Sequence, residues 1–184
     1  MPRTPDPSSP RPATAWGAAI GLLARRDLSE GEVRTKLLAR DFGEPEVEEA
    51  ISRLRERRYL DDRSLAEAVA RTQARTKHQG PLKVRAHLRR RRIPEHLALE
   101  AIRTEFPEGA EGERAVVALK RLQPASSLDE RDGDGAVPPA ERRKESARLF
   151  RRLVARGYSW EAARHAVLAD GRPLEQERDT ELGT

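Results

Sequence analysis

The stretch Ser29-Glu30-Gly31-Glu32-Val33-Arg34-Thr35-Lys36-Leu37-Leu38-Ala39-Arg40-Asp41-Phe42-Gly43-Glu44-Pro45 decides how the whole chain is read. Ser29 with Glu32 three residues on has the form of a capping box, in which the serine oxygen accepts one orphan backbone N–H and the glutamate reaches back to another. Val33 and Leu37 follow at helical spacing, and Phe42-Gly43 stops the helix. Pro45 can open the next one, on which Val47, Ala50, Ile51 and Leu54 fall at i, i+3, i+4 and i+7. The reading is helix, turn, helix.

The pattern returns twice. With Val33, Val84 and Leu149 in register, Leu37, Leu88 and Leu153 fall at +4, and Phe42, Ile93 and Tyr158 at +9. Ala50, Ala101 and Ala166 share +17, while Ile51, Ile102 and Val167 share +18. The turn lies between +9 and +12 each time, and Pro45, Pro94 or Ser159 opens the following helix. A further helical segment precedes each copy, at about 15–26, 63–76 and 111–122. Asp61 or Asp62 is placed to cap the second of these, with Leu65 and Val69 on its buried stripe. Gly80-Pro81 starts the next helix, and Ala115, Val116, Leu119 and Leu122 give the last segment its period. The expected fold is all-α, with three tandem three-helix repeats forming an elongated, curved body.

The expected boundaries are a disordered Pro-rich arm at 1–13, repeat 1 at 14–60, repeat 2 at 61–107 and repeat 3 at 108–170. Repeat 3 is interrupted by an irregular linker at 123–139, and a flexible acidic tail occupies 171–184. Composition agrees with small stacked cores. Leu, Ile, Val and Phe supply only 36 of 184 residues, whereas 36% are charged. That is too little for one thick core, but each module needs only about ten apolar side chains. The absence of cysteine excludes a disulfide framework, a zinc ribbon and a thiol nucleophile. No apolar run of membrane length is present, and the start, with five prolines in its first 13 residues, lacks a signal-peptide core. A cytoplasmic protein is expected.

The net charge of +5 is unevenly spread. From Arg71 to Arg103 there are ten Lys or Arg against two Glu, so the middle repeat is cationic. On its second helix Val84 and Leu88 form the inward line. Arg85, Arg89 and Arg92 flank it on one side, and Lys83, His87 and Arg90 on the other. The run Arg89-Arg90-Arg91-Arg92 has no acid within the four residues before it, so neutralisation along the helix is poor, and a polyanion or an acidic protein surface would relieve the repulsion.

Catalytic signatures are missing: there is no Walker-type phosphate loop, no Gly-x-Gly-x-x-Gly turn, no His-Glu-x-x-His pair and no Gly-x-Ser-x-Gly elbow. His78, His87 and His96 are spaced by nine residues, two and a half helical turns, and prolines place them in different elements, which argues against a shared metal. Neither a cofactor nor an enzymatic activity is expected. Trp16, Trp160, Tyr59 and Tyr158 could stack on bases, but Tyr158 holds a repeat core position and Trp160 opens a helix, so packing roles are expected for them.

Four motifs stand in order along the chain: Leu28-Ser29-Glu30-Gly31-Glu32-Val33-Arg34 with Lys36-Leu37, then Tyr59-Leu60-Asp61-Asp62, then Gly80-Pro81-Leu82-Lys83-Val84-Arg85 with Leu88 and Ile93-Pro94, and finally Arg156-Gly157-Tyr158-Ser159. Together they resemble the RecX family, regulators of the bacterial recombinase RecA, over about Ala18 to Ala169. Leu65 stands where the family commonly has phenylalanine, and 123–139 is long for it. The resemblance implies a non-enzymatic, all-helical modulator that binds the RecA–DNA filament in its groove and suppresses ATP hydrolysis, strand exchange and RecA-promoted repressor cleavage. On that reading Lys83, Arg85, Arg89, Arg90 and Arg92, helped by Arg71, Arg75 and Lys77, contact RecA or single-stranded or duplex DNA, while Tyr59, Asp61, Asp62 and Gly80 shape the module junctions. A monomer without membrane association is expected. The alternative is a helix-turn-helix-like, largely sequence-blind DNA-binding regulator acting without RecA.

Overall fold

The computed structural model describes residues 14–122, 138–171 and 173–174. The expected arm, most of the linker and most of the acidic tail lie outside them. All regular structure among the described residues is helical: α1 (Ala15–Leu23), α2 (Glu30–Leu38), α3 (Glu44–Glu56), α4 (Asp62–Arg71), α5 (Pro81–Arg90), α6 (Glu95–Glu105), α7 (Ala110–Leu122), α8 (Pro139–Ala155) and α9 (Trp160–Ala169). A π-helical stretch, Thr72–Thr76, continues α4, and the Lys77 N–H closes it on the Thr72 carbonyl at 3.1 Å.

Caps follow the residue chemistry. Ser29 and Glu32 form the expected box, with the Glu32 N–H on Ser29 Oγ at 3.0 Å and the Ser29 N–H on Glu32 Oε2 at 3.1 Å. Between the two aspartates, Asp61 caps α4: its carboxylate accepts the Ser64 N–H at 2.9 Å and the Ser64 hydroxyl at 2.8 Å. Asp62 instead turns to α2 and accepts the Glu30 N–H at 2.9 Å. The buried stripe of α4 is Leu65, Ala66 and Ala70, continued by Ala74, with Val69 at its margin.

The register positions at +4, +9, +17 and +18, with their starting residues, are buried in all three copies except Phe42, which is half-buried. The turn explains part of that pattern. In each copy the +8 residue has a left-handed backbone: Asp41 at φ 63, Arg92 at φ 56 and Gly157 at φ 88. The +9 N–H then reaches back to the +4 carbonyl, from Phe42 to Leu37 at 3.4 Å, Ile93 to Leu88 at 3.2 Å and Tyr158 to Leu153 at 3.3 Å. This is a Schellman ending, whose two bonded residues also meet through apolar side chains, so +4 and +9 must be apolar together.

The described residues form two compact units. Of the described residues, the first unit takes 14–67 and 88–98, and the second takes 68–87 and those from 99 onward. Helices α4, α5 and α6 contribute to both. The first core gathers Ala18, Ala19, Leu28, Val33, Leu37, Val47, Ile51 and Leu54. The second gathers Ala115, Ala118, Leu119, Leu149, Leu153, Tyr158, Ala163, Ala166 and Val167. Many of these side chains are alanines, which let helix axes approach closely and make the cores thin.

Candidate functional site

Helix α5 and the turn after it carry the cations singled out by the sequence. Val84 and Leu88 are fully buried, while Lys83, Arg85, Arg89 and Arg90 are exposed. The helix ends at Arg90, so Arg92 does not continue the row of Arg85 and Arg89; it is an exposed side chain on a left-handed residue.

In the first unit Arg91 is absorbed by the fold. Its Nη2 donates to Glu32 Oε2 at 3.0 Å and to the Asp27 carbonyl at 2.6 Å, while its own carbonyl accepts the Ser29 hydroxyl. Glu32 also receives Arg26 at 2.9 Å. Burial pushes the Glu32 carboxyl up, but Arg26, the Ser29 N–H and Arg91 together hold it below its ordinary value of 4.5. The four-arginine run therefore does have a neutralising acid. It lies 59 residues away on α2, beyond the reach of any local sequence pattern.

Gly31 makes this junction fit: a β-carbon there would come within 2.7 Å of Arg92 Cβ and 2.8 Å of its carbonyl oxygen. Asp62, buried beside Glu30, has its carboxyl raised, chiefly by burial and partly offset by the Glu30 N–H. Tyr59 is 55% exposed, with its ring 6.4 Å from Trp16, which Arg53 overlies at 4.7 Å.

In the second unit Arg71, Arg75 and Arg114 converge on the buried Glu105. The Nε of Arg75 lies 2.8 Å from its carboxylate, Arg114 Nη2 at 3.3 Å and Arg71 Nε at 4.0 Å. Lys77 offers its carbonyl to Arg156 Nη1 at 2.8 Å, and Lys83 Nζ caps the Ala155 carbonyl at 3.0 Å. Gly80 crosses Gly157 so closely that a β-carbon would meet Gly157 C and O and Tyr158 N at 2.4 Å. Its N–H donates to the Arg156 carbonyl at 2.9 Å.

The two units thus repeat one junction. The −4 residue of one module donates to the +7 carbonyl of the next, from Ser29 to Arg91 and from Gly80 to Arg156. The +7 guanidinium returns to a carbonyl just before the earlier module's second helix, Asp27 or Lys77. Among the described residues no cluster of three or more His, Cys, Asp or Glu is placed to hold a metal, and no helix is long and apolar enough to cross a membrane.

Family models match twice: RecX, first three-helix domain, over residues 15–54, and RecX, second three-helix domain, over 61–102. A regulatory protein RecX of Thermus thermophilus is 38% identical over 144 residues, 78% of this chain and 83% of that protein. The chain belongs to the RecX family. The regulatory protein RecX of Geobacillus kaustophilus is 33% identical over 162 residues, and the chain spans only 54% of its length. The crystal structure of RecX from Lactobacillus salivarius superposes with a TM-score of 0.66 at 20% identity, covering 85% of this chain and 93% of that one, which supports the helical fold.

Proposed function

We propose that this RecX-family chain is a non-catalytic cytoplasmic modulator that binds the RecA–DNA filament as a monomer and suppresses its ATPase, strand-exchange and coprotease activities. The observation that carries the reading is the set of exposed cations on α5, Lys83, Arg85, Arg89 and Arg90, above buried Val84 and Leu88. Arg92 extends this set beyond the helix end. Arg71, Arg75 and Lys77 add to the local positive potential while their own bonds hold them in place. A surface of one sign raises encounter rates with polyanions and is screened by salt. Tyr59, Asp61, Asp62 and Gly80 act indirectly, by fixing the junctions. Small modules in series can engage successive subunits of a filament, so that individually weak contacts add.

The test measures RecA ATP hydrolysis on single-stranded DNA with increasing amounts of wild type or of the triple variant R85E/R89E/R90E. The variant is expected to lose inhibition while its circular dichroism stays helical. Full inhibition by the folded variant would remove α5 from the mechanism. Binding of wild type to naked DNA with a steep salt slope, together with inhibition only at DNA-saturating amounts, would favour direct DNA binding instead.

A further inference from the structure

A second basic helix lies entirely within the second unit. From Pro139 to Arg156 there are seven Lys or Arg against two Glu, and Arg142, Arg143, Lys144, Arg148, Arg151 and Arg152 are all exposed. The Phe150 side of this helix is not purely charged. By helical spacing Arg143, Ala147, Phe150 and Val154 form one row with Arg151 beside it, and Val154 is 41% exposed. An open cleft of about 440 Å³ lined by Pro139, Arg142, Arg143, Gly171 and Pro173 lies at the start of α8.

Against Phe150 stands Trp160. The rings meet edge to face, with centroids 5.3 Å apart and planes at 76°, and the Arg164 guanidinium sits 6.0 Å from the indole centroid. Trp160 is the first residue of a well-fixed helix. Ser159 accepts the Ala162 N–H at 3.2 Å, and its own N–H donates to Glu111 Oε1 at 2.6 Å. The ring is therefore held in orientation, yet 49% of the residue faces solvent. Packing does not account for this exposure, because Tyr158, two residues earlier and 2% exposed, fills the core position.

We infer that the α8–α9 face, with Trp160 as a stacking platform, Arg164 beside its ring and Arg143 and Arg151 along the Phe150 side of α8, binds single-stranded nucleic acid. Sequence-tolerant single-strand sites combine a cationic track with an aromatic face on which a base lies flat. Here the track runs about 16 Å along α8, from Arg143 to Val154. An unpaired strand presents both phosphates and open base faces, whereas a duplex hides its base faces in the stack. The site requires no RecA and none of the α5 cations.

The test uses the full chain carrying W16F, so that Trp160 is the sole tryptophan, titrated with oligo(dT) and with an abasic oligomer of the same length. Oligo(dT) is expected to quench Trp160 and the abasic strand to bind more weakly without comparable quenching. W160L should weaken oligo(dT) binding by about 5- to 150-fold while keeping the salt slope, and W160F should restore part of the loss. R143E/R151E should instead flatten the salt slope. Equal affinity of W160L and wild type for oligo(dT), or equal binding of the abasic strand, would overturn the inference. Absence of quenching with oligo(dT) would also overturn it. With no RecA present, each of these failures leaves the filament reading untouched.

Discussion

Replacing Gly80 by alanine perturbs the second unit at its tightest point. The new β-carbon would lie 2.4 Å from Gly157 C and O and from Tyr158 N. All three are backbone atoms held in a turn, so no flexible side chain can swing away. Relief requires the α5 start to move off the α8–α9 turn, and that movement stretches two bonds, Gly80 N–H to Arg156 O at 2.9 Å and Leu82 N–H to Gly157 O at 3.1 Å. Overpacking costs about 1–3 kcal/mol, and two weakened backbone bonds add about 1 kcal/mol each, for a total of about 3–5 kcal/mol. At about 4–8 °C per kcal/mol for a cooperative unit of about 100 residues, the melting temperature of the second unit should fall by about 12–40 °C. Urea unfolding followed by Trp160 emission in the W16F background reads that unit. A shift in its midpoint, with a much smaller change in a first-unit probe (Trp16 emission in W160F), is the expected result. A Gly80→Ala change below about 0.5 kcal/mol would refute the close crossing of Gly80 and Gly157.

Gly31→Ala should act likewise on the first unit, since its β-carbon meets Arg92 at 2.7–2.8 Å, whereas Gly21→Ala, with nothing within 4 Å in the middle of α1, should stabilise by about 0.5–1 kcal/mol; chemical denaturation of the pair separates clash from propensity. Asp61→Ala removes the α4 cap and should cost about 1 kcal/mol, read as a lower urea midpoint at unchanged m-value. Glu32 contributes stability that is complete above its unfolded pKa, because its folded value is depressed; that contribution should vanish as pH falls through the lower folded value, and E32Q should flatten this part of the stability–pH curve.

The apolar skeleton was legible in sequence because the turn demands it. Leu37 with Phe42, Leu88 with Ile93 and Leu153 with Tyr158 are the paired residues of a Schellman ending, so local backbone geometry writes them into all three copies. The left-handed residue between them was not legible. Gly157 advertises it and Asp41 tolerates it, while Arg92 takes the same conformation against its own preference. Long-range charge pairing was equally hidden. Arg91 reads as one of four equivalent arginines until α2 brings Glu32 to it, and Arg75 until Glu105 arrives from 30 residues away. Trp160 was expected to be a packing residue because it opens a helix, yet an opening residue can face outward, and Tyr158 already fills the core. The basic character of α8, seven Lys or Arg against two Glu from 139 to 156, is masked in the sequence by the denser run at 89–92.

The repeated junction makes one residue type carry three different loads. Arg40, Arg91 and Arg156 all stand at +7. Arg91 bonds a mostly buried carboxylate and a carbonyl, Arg156 bonds a carbonyl alone at an exposed site, and among the described residues the Arg40 guanidinium has no hydrogen-bond or ion-pair partner. Truncating a hydrogen-bonded charge costs about 1.5–3 kcal/mol when its partner is left buried and far less when water replaces it. Arg91→Ala should therefore cost about 2–3 kcal/mol, Arg156→Ala about 1 kcal/mol, and Arg40→Ala less than about 0.5 kcal/mol. Equal losses at the three positions would mean that +7 serves its own module's turn. The graded order is expected only if the arginine is a bond to the module before it, a bond for which Arg40 has no counterpart among the described residues.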